Sequence, residues 1–316
     1  MEPMLPDTNS PGSTSSPELV SARGSVVAVG RFDGVHLGHQ FLLREARRSA
    51  REWGVPAVAY TFPPTGEALL PLPAKQALLE RFCDRVLVKP WPEVRHLSPE
   101  EFVSRELVGA LGAKVVVVGP NHRFGHRARG DVDLLRTLGQ RFSLQVRVVP
   151  PRTDATGEVI SSRRIRELVR AGRVEEAGKL LGRPPMLWGE RVSGVGLASK
   201  LGFPTVNLEL WPGQLRPPAG VYLAWARWSG GSGAGLFYLG SRPTFPHLPP
   251  TCELHLLSSP EPEPEGLLEV ALFSQLRPDM RFSGPRELGR QIQDDLRRAR
   301  DFLSSLSPPA PVLVGS

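Results

Sequence analysis

Two different sequence patterns meet at GRPP, residues 182–185. Two prolines and a glycine interrupt any regular helix or strand, so this tetrapeptide predicts a boundary between domains. Before it, strand-like and helix-like stretches alternate, whereas after it short strand-like stretches are separated by glycine and proline. A chain of 316 residues is long enough for two such domains, each with its own core. We therefore expect domains at 24–184 and 185–305, with a disordered tail at 1–23 and a second tail at 306–316.

The first domain has the alternation that is typical of a parallel sheet. Short apolar stretches, of which KVVVVG at 114–119 is the most strand-like, precede stretches of helical periodicity. Ser98 and Glu101 form a capping-box pattern before one of the predicted helices. This pattern predicts an α/β fold with a parallel sheet that is covered by helices on both faces. In such folds, ligands bind beyond the carboxyl ends of the strands.

The second domain is predicted to be antiparallel. Its strand candidates are MLWGERVSG, GFPTVNLEL, GVYLAWARW, GLFYLGS, CELHLL and LLEVALFSQL. Short strands that are broken by turn residues predict an antiparallel β-barrel or sandwich. A charged amphipathic stretch, GPRELGRQIQDDLRRARDFLSSL, predicts a helix that closes the domain.

Composition bears on location and partners. Every apolar run is far shorter than the ~20 residues of a transmembrane helix, so no membrane partner is expected. The N-terminus lacks the basic start and apolar run of a secretory signal, which favours a cytoplasmic location. Cys83 and Cys252 are too few for a disulfide framework. The net charge of +7 leaves open a nucleic-acid-binding protein, although arginine clusters beside glycine turns also suit small polyphosphates.

The stretch GRFDGVHLGH follows the first predicted strand and precedes a helix. Free backbone N–H groups and the helix dipole favour an anion at such a position. Gly34 and Gly38 would let the backbone approach the anion, and His36 and His39 can donate hydrogen bonds to phosphoryl oxygens. This pattern indicates a phosphate site, with a pair of capping or packing histidines as the alternative.

The same stretch resembles the signature of FMN adenylyltransferases, the N-terminal half of bacterial bifunctional riboflavin kinase/FAD synthetases. VVGPNHRFG at 117–125, RARGD at 127–131 and ISSRRIR at 160–166 resemble further stretches of that family in the same order. The resemblance implies a Rossmann-like nucleotidyltransferase domain that transfers AMP from ATP to FMN. It implies catalytic roles for His36 and His39, flavin contacts for Asn121 and Arg123, and ATP or phosphate contacts for Gly30, Phe32, Asp33, Gly34, Gly38, Ser161, Ser162 and Arg166.

The second domain carries motifs that resemble riboflavin kinases. GFPTVN at 202–207 resembles the signature G-F-P-T-A-N, and the glycine-rich stretch before it resembles the loop that precedes that signature. TCELHLL at 251–257 resembles the stretch that carries the family's catalytic glutamate. The resemblance implies that Glu253 is the general base, that Thr205 and Asn207 are Mg²⁺ ligands, that Gly194 and Gly196 contact phosphate, and that Gly220, Tyr222 and Arg242 contact flavin.

Together the two motif sets imply a bifunctional enzyme that phosphorylates riboflavin to FMN and adenylylates FMN to FAD, releasing pyrophosphate. Riboflavin, FMN and ATP are the implied small-molecule partners, Mg²⁺ accompanies ATP, and no tightly bound organic cofactor is expected.

Three departures from the family pattern leave an alternative open. Arg163 replaces a threonine, His122 stands where phenylalanine is usual, and the 62–71 loop is shortened. A kinase with a weakened adenylyltransferase half is therefore one alternative. A catalytically silent flavin or nucleotide binder is another. A nucleic-acid-binding protein is the third, and it is disfavoured because no nucleic-acid-binding motif is present. The sequence makes no prediction of oligomeric state.

Overall fold

The computed structural model describes residues 24–194, 202–241, 244, 250–303 and 307–314. These residues divide into two compact units. The first comprises the residues up to Gly30, Arg44–Tyr60 and Cys83–Val149. The second comprises Arg31–Leu43, Thr61–Phe82 and the residues from Pro150 onwards. The loop that carries the histidine pair therefore belongs to the same compact unit as the C-terminal part of the chain.

The first unit is built on a five-stranded parallel sheet with the strand order β3-β2-β1-β4-β5. Its strands are β1 Ser25–Val29, β2 Ala57–Thr61, β3 Arg85–Val88, β4 Ala113–Val118 and β5 Gln145–Val148. The central strand β1 pairs in parallel with β2 and β4, and all of its residues are buried. A strand that is buried on both faces requires a continuous apolar run, which explains the composition of β1 and β4. The predicted parallel sheet is confirmed.

Helices alternate with these strands along the chain, and further helices follow β5. Within the described residues they are α1 Leu37–Trp53, α2 Leu72–Glu80, α3 Trp91–Val94, α4 Pro99–Glu101 with its π-helical continuation Phe102–Ala110, α5 Val132–Arg141, α6 Ser162–Arg170, α7 Val174–Leu181 and α8 Pro285–Leu303. The predicted capping box is present, since the backbone N–H of Glu101 donates to Ser98 Oγ (3.2 Å) and that of Ser98 donates to Glu101 Oε2 (3.0 Å). None of the helices in this described part of the chain is long and apolar enough to cross a membrane.

The second unit contains a closed antiparallel barrel with the strand order β10-β7-β6-β11-β8-β9. Its strands are β6 Met186–Val192, β7 Val206–Leu210, β8 Gly220–Trp228, β9 Gly231–Gly240, β10 Thr251–Leu256 and β11 Leu267–Pro278. Alternate residues such as Leu208, Phe237 and Leu254 fill the barrel interior. Leu296 and Ala299 of α8 pack outside the barrel. The expected barrel with a closing helix is confirmed, and a sandwich is not formed.

Part of the C-terminal tail lies against this barrel. The buried carboxylate of Glu269 on β11 accepts hydrogen bonds from the backbone N–H groups of Val312 (3.0 Å) and Leu313 (2.6 Å). It also accepts one from the indole N–H of Trp188 (3.1 Å). Val312 is itself buried. These contacts attach residues 307–314 to β6 and β11.

Candidate active sites

The two predicted catalytic histidines lie face to face at the start of α1. Their ring centroids are 3.6 Å apart and their ring planes differ by 18°. Gly38 permits this stacking, because a Cβ there would lie only 3.1 Å from the His36 ring. The backbone N–H of His39 donates to His36 Nδ1 (3.3 Å). A neutral His36 ring therefore carries its proton on Nε2 and can donate a hydrogen bond only from that atom.

Burial keeps both rings neutral. The pKa of His36 falls to about 4, mainly because burial disfavours the charged ring and also because Arg183 lies nearby. Burial likewise lowers the pKa of His39 well below its usual value, with smaller contributions from His36 and Lys75. Nδ1 of His39 is buried and finds no hydrogen-bond partner among the residues that the structure describes. At neutral pH the pair can therefore act on a phosphate as hydrogen-bond donors rather than as cations.

The predicted residues of the ISSRRIR stretch are engaged with Asp33. Arg166 donates to Asp33 Oδ2 from Nε (2.9 Å) and from Nη2 (2.6 Å). Ser162 Oγ donates to the backbone carbonyl of Asp33 (2.8 Å). Ser161 caps α6, since its Oγ accepts a backbone N–H from the first turn of that helix (3.4 Å). The structure thus brings Asp33, Ser161, Ser162 and Arg166 together with the histidine loop, where Asp33 ties the start of α6 to the residues before His36.

Lys75 of α2 is a candidate that the sequence analysis missed. Its side chain is buried, and Nζ donates to the carbonyls of Phe62 and Arg31 (3.3 Å to the latter) and to Thr61 Oγ1 (3.4 Å). Burial lowers the pKa of Lys75 to about 8. The single lysine in the apolar stretch ALLPLPAKQALL was the available signal. Lys75 therefore places a buried positive charge close enough to His39 to affect the pKa of that ring.

Other predicted residues of this half lie in the first unit, beyond the carboxyl ends of two neighbouring strands. Gly30 follows β1, and Asn121 follows β4 and is exposed. Arg123 is exposed and forms an ion pair with Asp131 (3.4 Å). His122 is half-buried, and burial lowers its pKa to about 4. This is the edge of a parallel sheet at which ligands are expected.

Thr205, Asn207 and Glu253 come together on the outer face of the barrel. Antiparallel pairing of β7 and β10 places Glu253 opposite Asn207, on the face that does not carry the core residues Leu208 and Leu254. The hydroxyl of Thr205 donates to Glu253 Oε2 (3.2 Å). The structure thus assembles three of the residues that the sequence assigns to a kinase site.

A cavity of about 340 Å³ adjoins this cluster, and its lining residues are Arg191, Val192, Ser193, Gly194, Thr205, Val206 and Asn207. Gly194 lies directly beside Asn207, since a Cβ at this position would overlap the Asn207 carboxamide. The described residues contain no cluster of three His, Cys, Asp or Glu side chains, so a metal ion here would have few protein ligands. Hydroxyl and amide oxygens beside a cavity fit Mg²⁺, which prefers oxygen ligands and is commonly bound through substrate phosphates.

His255 is a second residue that sequence analysis did not assign to the site. It lies two residues after Glu253 on β10, and its Nδ1 is paired with the carbonyl of Pro204 (2.7 Å). Because a carbonyl can only accept, Nδ1 is the donor. Its ring also contacts Phe203 edge-on, with centroids 6.2 Å apart. His255 thus holds the backbone that precedes Thr205.

Of the three flavin contacts predicted in the second domain, Gly220 and Tyr222 lie within the described residues. Tyr222 is fully buried in the barrel core, and its hydroxyl donates to the carbonyl of Pro218 (2.5 Å). Gly220 lies against β11, where a Cβ would come within 2.5 Å of the carbonyl of Arg277. Both residues thus have a packing role in the barrel. Arg242, like the predicted phosphate contact Gly196, lies outside the described residues.

Comparisons with known proteins match both halves of the chain. Residues 19–164 match the family described as FAD synthetase, and residues 181–303 match the family described as riboflavin kinase. A bifunctional riboflavin kinase/FMN adenylyltransferase from Pseudomonas fluorescens is 35% identical over 294 residues, which cover 88% of this chain and 93% of the relative. A protein of the same name from Escherichia coli K12 is 30% identical over 299 residues, which cover 90% of this chain and 95% of the relative. The chain belongs to the bifunctional riboflavin kinase/FMN adenylyltransferase family.

A solved structure supports the fold of this family member over most of its length. It is described as a macrolide-efflux protein from Streptococcus pneumoniae, and it is 28% identical with a TM-score of 0.79. The match covers 88% of this chain and 94% of that chain. The resemblance stated from the motifs is therefore confirmed, whereas the roles of individual site residues stay predictions.

Proposed function

We propose that this chain makes FAD from riboflavin in two ATP-dependent steps. The barrel transfers the γ-phosphoryl group of ATP to riboflavin, giving FMN and ADP. The part of the chain that contains the histidine pair transfers AMP from a second ATP to FMN, giving FAD and pyrophosphate. The observation that carries the proposal is that both halves of a two-enzyme family are present and each keeps an assembled polar site. We assign the steps to residues 185–305 and 24–184, respectively.

In the kinase step, Glu253 is the general base. Its carboxylate accepts the proton of the terminal ribityl hydroxyl, and the resulting oxygen attacks the γ-phosphorus of ATP while the bond to the β-phosphate oxygen breaks. The hydrogen bond from the Thr205 hydroxyl (3.2 Å) orients the glutamate. Thr205 and Asn207 would hold Mg²⁺ with the ATP phosphates, and the ion would supply positive charge against the charge that develops on them.

In the adenylylation step, a phosphate oxygen of FMN attacks the α-phosphorus of ATP and pyrophosphate leaves. The attacking phosphate is already ionised, so this step needs no general base. What it needs is stabilisation of charge on the phosphoryl oxygens, and preorganised hydrogen-bond donors provide that. Neutral His36 and His39 at the start of α1 are such donors, and they act together with the backbone N–H groups of the helix.

Asp33 and Arg166 have a positioning role in this proposal. Their two hydrogen bonds join the histidine loop to α6, so the phosphate site is built before ATP arrives. We assign Ser161 and Ser162 the same positioning role, because Ser161 caps α6 and Ser162 binds the backbone of Asp33. Gly30, Asn121 and Arg123 are assigned to nucleotide and flavin binding from their place beyond β1 and β4. The use of ATP supports action in the cytoplasm.

The test is chromatography of the purified protein incubated with riboflavin, ATP and Mg²⁺. We expect FMN to appear first and FAD to follow it. Accumulation of FMN without FAD would leave only the kinase activity, with Arg163, His122 and the 62–71 loop as the departures to examine. Failure to convert riboflavin at all would refute the kinase assignment, and failure to convert supplied FMN would refute the adenylyltransferase assignment.

Two variants assign the activities to their sites. Glu253→Gln should abolish FMN formation and leave FAD formation from supplied FMN unchanged. His36→Ala combined with His39→Ala should have the opposite effect. Loss of both activities in either folded variant would contradict independent sites.

A further inference from the structure

Arg183 lies in the GRPP tetrapeptide between α7 and β6, within the residues that match riboflavin kinase. Its guanidinium nevertheless contacts the loop that carries the histidine pair. Nη2 donates to the carbonyl of Gly34 (2.8 Å), and Nη1 lies 3.5 Å from the carbonyl of Val35. Nη1 also donates to the carbonyl of Leu181 (3.4 Å). One arginine thus joins the end of α7 to the two residues that precede His36.

These carbonyls belong to a turn that is costly to form. Three residues before His36 have left-handed backbone angles: φ is 50° at Phe32, 80° at Gly34 and 40° at Val35. Glycine adopts such angles freely, but a β-branched residue such as valine rarely does. A residue held in this region is strained and persists only where its surroundings fix it. The turn therefore requires contacts outside itself.

Gln40 provides a second set of donors to the same carbonyls. Its Nε2 donates to the carbonyl of Val35 (3.0 Å) and to that of Leu181 (3.0 Å). Arg183 and Gln40 thus bind the same pair of acceptors from two different elements. Arg183 adds a short, charge-assisted hydrogen bond to the carbonyl of Gly34 (2.8 Å).

We propose that Arg183 is a positioning residue for adenylyl transfer: it fixes the Gly34–Val35 turn so that His36 and His39 keep the stacked geometry in which they face the phosphates of ATP. The proposal rests on the proposed adenylyltransferase function. It means that a residue within the kinase match completes the histidine site. Arg183 touches neither substrate in this scheme and acts only through the turn.

The nearby charge distribution agrees with this role. Arg183 is the second cause, after burial, of the lowered pKa of His36. Nε of Arg183 is itself buried and has no hydrogen-bond partner among the described residues. Three backbone carbonyls bind its two Nη groups, so the turn gains a fixed cation close to His36.

The test compares Arg183→Met with Arg183→Lys, and uses Arg170→Met as the matched control. Arg170 is an exposed arginine of α6 that pairs with Glu67 (3.2 Å), so its loss removes a charge without touching the turn. For each variant, kcat and KM are measured for FAD formation from supplied FMN and for FMN formation from riboflavin. Thermal unfolding is recorded in parallel.

We expect Arg183→Met to lower kcat for FAD formation by about 10- to 100-fold, as a small misplacement of catalytic groups does. KM for ATP should change much less, and FMN formation should keep its wild-type rate. Lysine keeps the charge but lacks the planar fork with which the guanidinium binds separate carbonyls, so Arg183→Lys should fall between Arg183→Met and the wild type. Arg170→Met should match the wild type in both reactions.

The outcomes are distinguishable. A wild-type protein that forms no FAD from FMN overturns the proposed function and this inference with it. A wild-type protein that forms FAD, beside an Arg183→Met variant of equal kcat, overturns the inference alone. Equal loss of both activities in a folded variant also overturns it, because it would show a general structural role. If Arg183→Met fails to fold, Arg183→Lys decides: a selective fall in kcat for FAD formation supports the inference, and wild-type kcat overturns it.

Discussion

A buried neutral imidazole differs from a cationic side chain as a phosphate ligand. It contributes a directed hydrogen bond, and it gives up little hydration when the ligand arrives. The stacked pair of His36 and His39 can remain in this state because burial makes protonation unfavourable for both rings. The same burial makes the stability of the fold sensitive to acid, because the two histidines bind protons more readily in the unfolded chain than in the folded one.

This sensitivity can be measured at His36. Its pKa is about 4 in the fold and 6.5 in an unfolded chain, so between those values the unfolded state binds more protons and stability rises with pH. Lowering the pH from about 7 to 5 should therefore cost about 2 kcal/mol at this residue. Denaturant unfolding at the two pH values should show that His36→Gln loses less stability on acidification than the wild type. An equal loss in both proteins would contradict a buried neutral His36.

The proposed kinase site includes a supporting residue, His255, that touches no substrate in our scheme. Nδ1 of His255 donates to the carbonyl of Pro204 (2.7 Å). This contact holds the backbone that precedes Thr205. Asparagine can present an N–H near the place of Nδ1, but leucine cannot. We expect His255→Leu to slow FMN formation about tenfold, the value of roughly one hydrogen bond. His255→Asn should recover most of that rate.

Both variants should form FAD from supplied FMN at the wild-type rate, which controls for folding of the rest of the chain. Equal FMN formation by His255→Leu and the wild type would show that Thr205 is held without His255.

At the scale of elements, local patterns were enough to predict most strands. An unbroken apolar run gave β4, alternation gave β10, and the pair of Ser98 and Glu101 marked the start of α4, because each of these features acts within a few residues. Contacts between distant residues left no such pattern. From the sequence, Arg183 was predicted only to lie at a domain boundary, and Glu269 only to lie in a strand. In the structure, each of them forms hydrogen bonds with backbone groups that are far away in sequence.

The attachment of the C-terminal segment to β11 is open to a direct test. Glu269→Gln places an amide N–H₂ where a carboxylate oxygen now accepts a backbone N–H, so two donors face each other and the charge that strengthens these hydrogen bonds is lost. We expect a loss of about 1–3 kcal/mol in the free energy of unfolding. Cleavage of the segment by a protease should also become faster.

A double-mutant cycle separates this contact from a general effect on the barrel. The second change is removal of residues 307–316. If Glu269 acts through the segment, Glu269→Gln should cost clearly less in the shortened chain than in the full one. Equal costs in both chains would show that the segment contributes nothing to the role of Glu269.

At the scale of the whole molecule, the proposed function assigns each of the two reactions its own set of residues. The histidine loop lies in the same compact unit as the barrel, yet His36 and Glu253 belong to separate polar clusters with no residue in common. FMN is the product of one reaction and the substrate of the other. The two reactions should therefore communicate through FMN in solution.

Mixing two inactive variants tests this. With riboflavin, ATP and Mg²⁺, Glu253→Gln should make no flavin product, and the variant that combines His36→Ala with His39→Ala should stop at FMN. Together they should make FAD, because FMN released by one variant is adenylylated by the other. The delay before FAD appears should shorten as the concentration of the FMN-forming variant rises. If the mixture forms no FAD while Glu253→Gln still converts supplied FMN, then FMN stays bound where it is made, and the reactions are coupled within one molecule.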